Sequence, residues 1–291
     1  WSKIYGDSGQ EFQSPSPRRW LQFEVRMTGD APGLAAELGN LAVNFSEALA
    51  RSAVSEIAPL QVSPGEEHEF SLYLKPGQTR RTGFDRVFVE APVAMHFAQA
   101  KVNDEPVDVA SEATDAGFQV TFPQAIGDGD LVELRFRSRI FQQSTQFNLF
   151  IQDSRAGDAI RQRVDPGDAT DQAPGNTNVV HLPVDQRLFA NVALSSRVLT
   201  PNGDGHNDVL HVSLDLLNLI EERPLGLRLL DLSGRQVRYV KQSRVAGPQQ
   251  LEWDCRDENG THVPPGLYIL ELSLQGDGRE ERLHGLISVV Y

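Results

Sequence analysis

The chain of 291 residues carries 27 basic against 40 acidic residues, a net charge of −13, which excludes a nucleic-acid or anionic-membrane surface, since both need a basic patch. Its length exceeds the ~100–200 residues of one ordinary domain, so two domains are expected. The single cysteine, Cys255, excludes an internal disulfide, and no run approaches the ~18–20 continuous apolar residues of a membrane helix.

The chain opens at Trp1 without the basic, apolar and small-residue pattern of a signal peptide, and is expected to be a processed product or the C-terminal part of something longer. Residues 20–27, Trp20-Leu21-Gln22-Phe23-Glu24-Val25-Arg26-Met27, alternate with period two, as do residues 131–137. Such alternation puts apolar groups on one face of a strand and predicts an antiparallel sheet with one side buried. Trp20 is accordingly expected in a core. Residues 34–38 and 46–54 fit either a short helical turn or an edge strand. Further strands are expected over 41–45, 69–74, 85–90, 97–102, 118–122 and 147–151, separated by Pro64-Gly65, Lys75-Pro76-Gly77, Asn103-Asp104 and Gly127-Asp128-Gly129. Strands at this spacing predict a β-sandwich over residues 1–155, acting in assembly or ligand binding.

Residues 156–185 have few large apolar groups, and Asp158, Asp165, Asp168 and Asp171 accompany Pro166-Gly167 and Pro174-Gly175. This composition reads as an acidic linker or extended loop. With Asp153 the aspartates match no cation-ligand spacing, so a solvated connector is the better reading.

Residues 186–291 repeat the strand pattern over 209–216, 225–232, 236–241, 249–253, 266–274 and 283–290, the number and size of an immunoglobulin-like sandwich. Ser233-Gly234, Glu258-Asn259-Gly260 and Pro264-Pro265-Gly266 supply its turns. Trp253, Leu230, Tyr268 and Leu270 are the core candidates. The whole chain is therefore expected to be all-β, two β-sandwich domains with the C-terminal one Ig-like.

Before the first of these strands stands Leu199-Thr200-Pro201-Asn202-Gly203-Asp204-Gly205-His206-Asn207-Asp208. Glycines that accept φ > 0 alternate with oxygen-bearing side chains, so Asn202, Asp204 and Asp208 point either to a tight turn or to a Ca²⁺ site. A full calcium loop supplies about six to eight oxygens, and His206 stands where another acidic ligand would be welcome.

Three further stretches carry a resemblance. Leu229-Leu230-Asp231-Leu232-Ser233-Gly234-Arg235-Gln236-Val237-Arg238, then Leu251-Glu252-Trp253-Asp254-Cys255-Arg256-Asp257-Glu258-Asn259-Gly260, then Val263-Pro264-Pro265-Gly266-Leu267-Tyr268 resemble the Ig-like domain of the flagellar hook-capping protein family. The opening Thr-Pro-Asn-Gly-Asp-Gly-x-Asn-Asp is similar to the start of C-terminal domains on gliding-motility-associated and type IX secreted bacterial proteins. The likeness covers about residues 186–291. It implies a structural or sorting module without an active site, docking on neighbouring domains or holding a protein on the cell envelope. The family has glycine after Trp-Asp where this chain has Cys255, so either the cysteine takes a strained φ > 0 or the turn has shifted.

Sharper chemistries fare less well. Gly6-Asp7-Ser8-Gly9 looks like a nucleophile string, but no base and orienting acid follow on a helix-rich α/β pattern. His206 and His211, five apart, would fall on opposite faces of a strand and make a poor zinc pair. Glu66-Glu67, Glu221-Glu222 and Glu280-Glu281 sit at turns or strand ends, where paired carboxylates mark a solvated surface. Trp1, Tyr5, Trp20 and Tyr73 are the aromatic candidates for a sugar platform in the N-terminal half. These readings predict a non-catalytic, extracytoplasmic bacterial protein of the cell surface, working in attachment or subunit packing through sheet edges. Its expected partners are other proteins of a surface or extracellular assembly, with a glycan or further copies of the chain also compatible. The alternatives are a carbohydrate-binding accessory module of a secreted enzyme and a type IX secretion cargo with a C-terminal sorting domain.

Overall fold

The computed structural model describes residues 4–7, 9–10, 20–27, 37–45, 47–156, 161–183, 187–276 and 280–291, and over these the chain is all-β. No helix among them is long and apolar enough to cross a membrane. Trp1, Ser8, residues 34–36 and residue 46 lie outside the described residues.

The first half contributes β1 (Ala50–Ala58), β2 (Glu67–Thr79), β3 (Phe84–Glu90), β4 (Met95–Val102), β5 (Glu105–Val107), β6 (Ala110–Thr114), β7 (Gly117–Ile126), β8 (Val132–Arg139), β9 (Ser144–Gln146), β10 (Asn148–Gln152), β11 (Gln162–Pro166) and β12 (Val179–His181). Ten of these form one sheet in the order β5-β4-β8-β2-β1-β11-β10-β3-β7-β6, and β9 pairs with β12. The sheet doubles back on itself. Phe118 of β7 stands 5.6 Å from Phe136 of β8 and 5.5 Å from Phe97 of β4, although those strands are far apart in the sheet order. Period-two burial explains this: Phe70, Leu72 and Leu74 of β2 and Leu134 and Phe136 of β8 face inward against Val87, Val89, Val120, Leu149 and Ile151 of the other leaf.

The two leaves meet where β1 and β11 run parallel, with Val54 opposite Asp165 and Ser55 opposite Pro166. The seam corrects the reading of residues 156–185 as a linker. Val164, Val180 and Leu182 are buried in the first core, and Asn178 donates its Nδ2 to Ser55 Oγ at 2.7 Å. A stretch poor in large apolar groups is held here by hydrogen bonds rather than by bulk. Glu56, fully buried on β1, accepts the N–H groups of Ala169 and Thr170, each at 2.8 Å, while its Oε2 has no hydrogen-bond partner.

The second half adds β13 (Phe189–Leu194), β14 (Val198–Leu199), β15 (Leu210–Leu216), β16 (Arg223–Asp231), β17 (Gln236–Arg244), β18 (Gly247–Trp253), β19 (Gly266–Gln275) and β20 (Glu280–Val289). They form a sheet β13-β15-β18 and a sheet β14-β20-β19-β16-β17 around a separate core. Trp253, Tyr268 and Leu270 lie in that core, with Trp253 and Tyr268 edge to face at 6.0 Å. Leu230 does not. The register shifts at Leu229/Leu230, and inward burial falls to Leu225, Leu227 and Leu229.

Three expectations for the N-terminal stretch are corrected. Residues 20–27 and 41–45 form no strand, and Trp20 is 89% exposed rather than in the core. Alternation specifies a face but not a neighbour to bury it against, and none of the described strands receives these segments. Residues 50–54, left between helix and strand by their composition, belong to β1 because β2 pairs along its length.

Replacing Glu56 by alanine strands two backbone N–H groups, the Ala169 one buried, at a cost of about 1–3 kcal/mol each where the site stays dry. Urea unfolding is expected to show this loss for Glu56→Ala and a much smaller one for Glu56→Gln, which keeps an acceptor oxygen. Limited proteolysis of Glu56→Ala is expected to open the chain first between residues 167 and 178.

Candidate functional site

The structure brings Asn202, Asp204 and Asp208 together in one exposed loop, and their oxygens are turned onto the loop's own backbone. Asp208 accepts the N–H groups of Gly203 and Gly205, each at 2.7 Å, one on either carboxylate oxygen. Asp204 accepts the N–H of His206 at 2.7 Å and the Nδ2 of Asn202 at 3.0 Å, and Asn202 Oδ1 accepts the N–H of Asp204 at 3.0 Å. Gly203 and Gly205 take φ of 82° and 84°, so both need the left-handed region that glycine enters freely. The Gly203 and Gly205 amides also hold the Asp208 carboxyl below the usual range. These bonds account for a tight turn. Among the described residues no group of three or more His, Cys, Asp or Glu is placed to hold a metal.

The next turn has the same chemistry. Asp231 Oδ1 accepts the Ser233 hydroxyl at 2.6 Å and the N–H groups of Ser233 and Arg235, each at 3.0 Å, and Arg235 Nε reaches Oδ2 at 3.0 Å. The Ser233 hydroxyl, followed by the Arg235 groups, draws this carboxyl down to about 2.

Cys255 settles the choice left open by the family likeness. It is fully buried with φ of 56°, so the turn has not shifted and the cysteine occupies the conformation that suits glycine. Its carbonyl accepts the N–H of Val263 at 3.0 Å, while Trp253 Nε1 donates to Arg256 O at 2.9 Å, closing the corner from both sides. Burial, with the negative Asp254 and Asp208 nearby, pushes the thiol up to about 11.

Two charged clusters escaped the sequence reading. Glu133, buried on β8, receives Arg135 Nε at 2.7 Å, the Ser71 hydroxyl at 2.8 Å and Lys101 Nζ at 3.1 Å. Burial would raise this carboxyl, but the three donors outweigh it and hold it low. Tyr73 beside it is buried, not an open sugar platform, and its hydroxyl is pushed up by that burial and by Glu133. On the outer face of the second sandwich, Glu271 binds Arg228 at 2.6 Å and His284 at 3.1 Å, and the Arg228 guanidinium lies 4.8 Å from the Tyr239 ring centre. The alternating Arg135 and Glu133, or Glu271 and Ser273, carried the signal: polar residues at outward positions in paired strands. Their partners come from strands remote in sequence, which no spacing could supply. His211 is bound to Glu252 at 3.1 Å, and Tyr5 is about one third exposed.

No family model matches the chain, and no curated protein matches it. Similar solved structures include latent dimeric PorU of Porphyromonas gingivalis, at 10% identity over 81% of this chain and 20% of that one, with a TM-score of 0.32. FLGD of P. aeruginosa matches at 22% identity over 36% of this chain and 76% of that one, with a TM-score of 0.26. PorZ, a surface component of the type IX secretion system of P. gingivalis, matches at 15% identity over 50% of this chain and 15% of that one, with a TM-score of 0.25. The chain thus spans a fifth or less of the two Por proteins. These are distant resemblances at the level of the fold.

Two measurements probe the turns. Because the folded Asp231 carboxyl is depressed to about 2 from its ordinary 3.8, it stabilises the fold above pH 3.8 and loses that contribution as pH falls through about 2. Melting curves across this window are expected to show a shallower acid decline for Asp231→Asn. The Cys255 thiol, held protonated by its burial, is expected to resist a disulfide reagent at pH 8 in the native protein and to react once denaturant is added.

Proposed function

We propose that this chain is a non-catalytic module of a bacterial cell-surface or secretion-associated protein, which packs against other proteins through the edges of its second sandwich. The observation that carries this reading is the edge of β20. Only Ser288 and Val289 are paired there with β14, and among the described residues no strand covers 280–287 on that side. Leu286, Leu267 and Val198 are exposed close by, at 58%, 49% and 49%. An unpaired strand edge flanked by apolar side chains is a template for strand addition. The sequence likeness of residues 186–291 to Ig-like docking and sorting modules supports the same reading.

The test is the size and composition of the native particle, by light scattering and mass spectrometry on material released gently from cells. A particle with fixed partner proteins is expected. A lone monomer that binds glycans through Trp20, or whose second sandwich alone directs export, would replace this reading with the sugar-binding or the sorting one.

A calcium ion at residues 202–208 is the competing reading of that loop, in which three side chains and the loop carbonyls would have to provide the oxygens. A cation bound only by the folded state stabilises it by mass action. With each side-chain oxygen already accepting a hydrogen bond, Asp204→Ala is expected to lower the melting temperature equally in calcium and in EDTA. A loss confined to calcium would assign the loop a bound cation.

A further inference from the structure

We propose that residues 20–27 of one copy of this chain add to the open edge of β20 in a second copy, as an antiparallel strand. This rests on the reading of the β20 edge given above and names its occupant.

The edge has a defined polarity. Ser288 donates its N–H to Arg197 O at 2.8 Å and Val290 to Leu199 O at 2.9 Å, both on the side away from β19. Backbone groups of successive strand residues alternate sides, so the N–H and C=O of Leu286, His284, Arg282 and Glu280 point to that same side. The side chains of these four residues are exposed, whereas Ile287 and Val289 are buried in the core and Leu283 is packed against it.

Residues 20–27 match this edge in antiparallel register. Trp20 falls opposite Leu286, Gln22 opposite His284, Glu24 opposite Arg282 and Arg26 opposite Glu280. Both charge pairs are opposite in sign, and the large apolar pair sits where the edge is apolar. The other face carries Leu21, Phe23 and Val25, with Phe23 opposite Leu283, beside the core of the second sandwich. A shift by one residue would turn Leu21 and Val25 to the solvent face and set Trp20 inward, and a parallel arrangement in the same span would bring Arg26 beside Leu286 and Trp20 beside Glu280. In the single chain Trp20, Leu21, Val25 and Met27 are 89%, 51%, 48% and 57% exposed, and Glu24 and Arg26 are paired with each other at 2.7 Å. Glu280 and Arg282 are likewise paired with each other, at 2.9 Å. Charges that neutralise a neighbour along their own strand are free to exchange it for a cross-strand partner. The complementarity of residues 20–27 to this edge names the occupant, and their exposure in the single chain leaves them to a second copy.

Sedimentation velocity of the full chain over a concentration series tests this. Mass is expected to rise with concentration. Glu24→Arg and Arg282→Glu each set like charges opposite one another and are expected to weaken association at least tenfold. An equimolar mixture of the two variants is expected to recover it, since each charge reversal then meets its complement across the two chains. Both positions are exposed, and unchanged melting temperatures would show that the variants fold. Wild-type mass that stays monomeric overturns the proposal. So does a monomer whose Leu286 and Arg282 amides are protected from hydrogen exchange, which would place the segment on its own chain, and so does a mixture that fails to recover association. A monomer that still purifies within a stoichiometric particle sinks the self-pairing alone, whereas self-association in a chain found free of other envelope proteins sinks the wider reading alone.

Discussion

The first sandwich depends on the parallel seam between β1 and β11. Two leaves that bury a common core must be joined somewhere, and here the ladder supplies only two residue pairs. Side chains do much of the joining. Gln162 accepts the N–H of Leu49 at 2.7 Å and returns its Nε2 to Ala50 O at 2.8 Å, while Asn178 reaches Ser55 Oγ. Gly167 and Ile57 add backbone bonds to Ser55 O and Thr177 O at 2.9 and 3.0 Å. Buried polar groups that pair only in one alignment fix the relation of the leaves more tightly than apolar packing, which tolerates sliding. Phe136, touching Phe70, Phe118 and Phe147, packs the core that this alignment creates.

That division of labour explains what the sequence made legible. Strands with a buried face announce themselves, because Phe70, Leu72 and Leu74 or Leu227 and Leu229 repeat at period two and water sorts them inward. The short polar strands do not: β6 is exposed throughout, and β11 contributes Gln162 and Val164 to the interior from a run of aspartates and arginines. Gln162 reads as a solvent residue until Leu49 and Ala50 are brought beside it by a contact more than a hundred positions away. Trp20 is the opposite case, a residue whose type and spacing suit a core but whose chain places no layer over it.

Turn chemistry was the most legible part of the second sandwich, since it is local. Asp231, Asp257 and Asp208 each fold their carboxylate onto amides within five residues, a geometry that aspartate beside glycine or serine favours from its own covalent reach. Cys255 shows where local reasoning ends. Its backbone sits in the left-handed region because Val263 and Arg256 close the corner around it, so tertiary hydrogen bonds override the preference of the residue.

The edges of the sheets differ in how they are protected. β5 is three residues long and contains Pro106, and β6 is polar and exposed along its length. β13 carries a bulge between Ala190 and Ala193, with Asn191 at φ of 51°. β17 is occupied by Glu258, which accepts the Tyr239 N–H at 2.8 Å and donates its own to Val237 O at 3.1 Å. Each is a known means of blunting strand-to-strand association. The stretch 280–287 of β20 is long, unbulged and free of proline, and it presents Leu286 rather than lysine. Among the described strands β18 also ends its sheet, paired without a bulge to β15 and carrying Pro248 near its start, so the stretch 280–287 differs from it in length and in lacking proline, and the charges on that stretch then decide which strand is accepted.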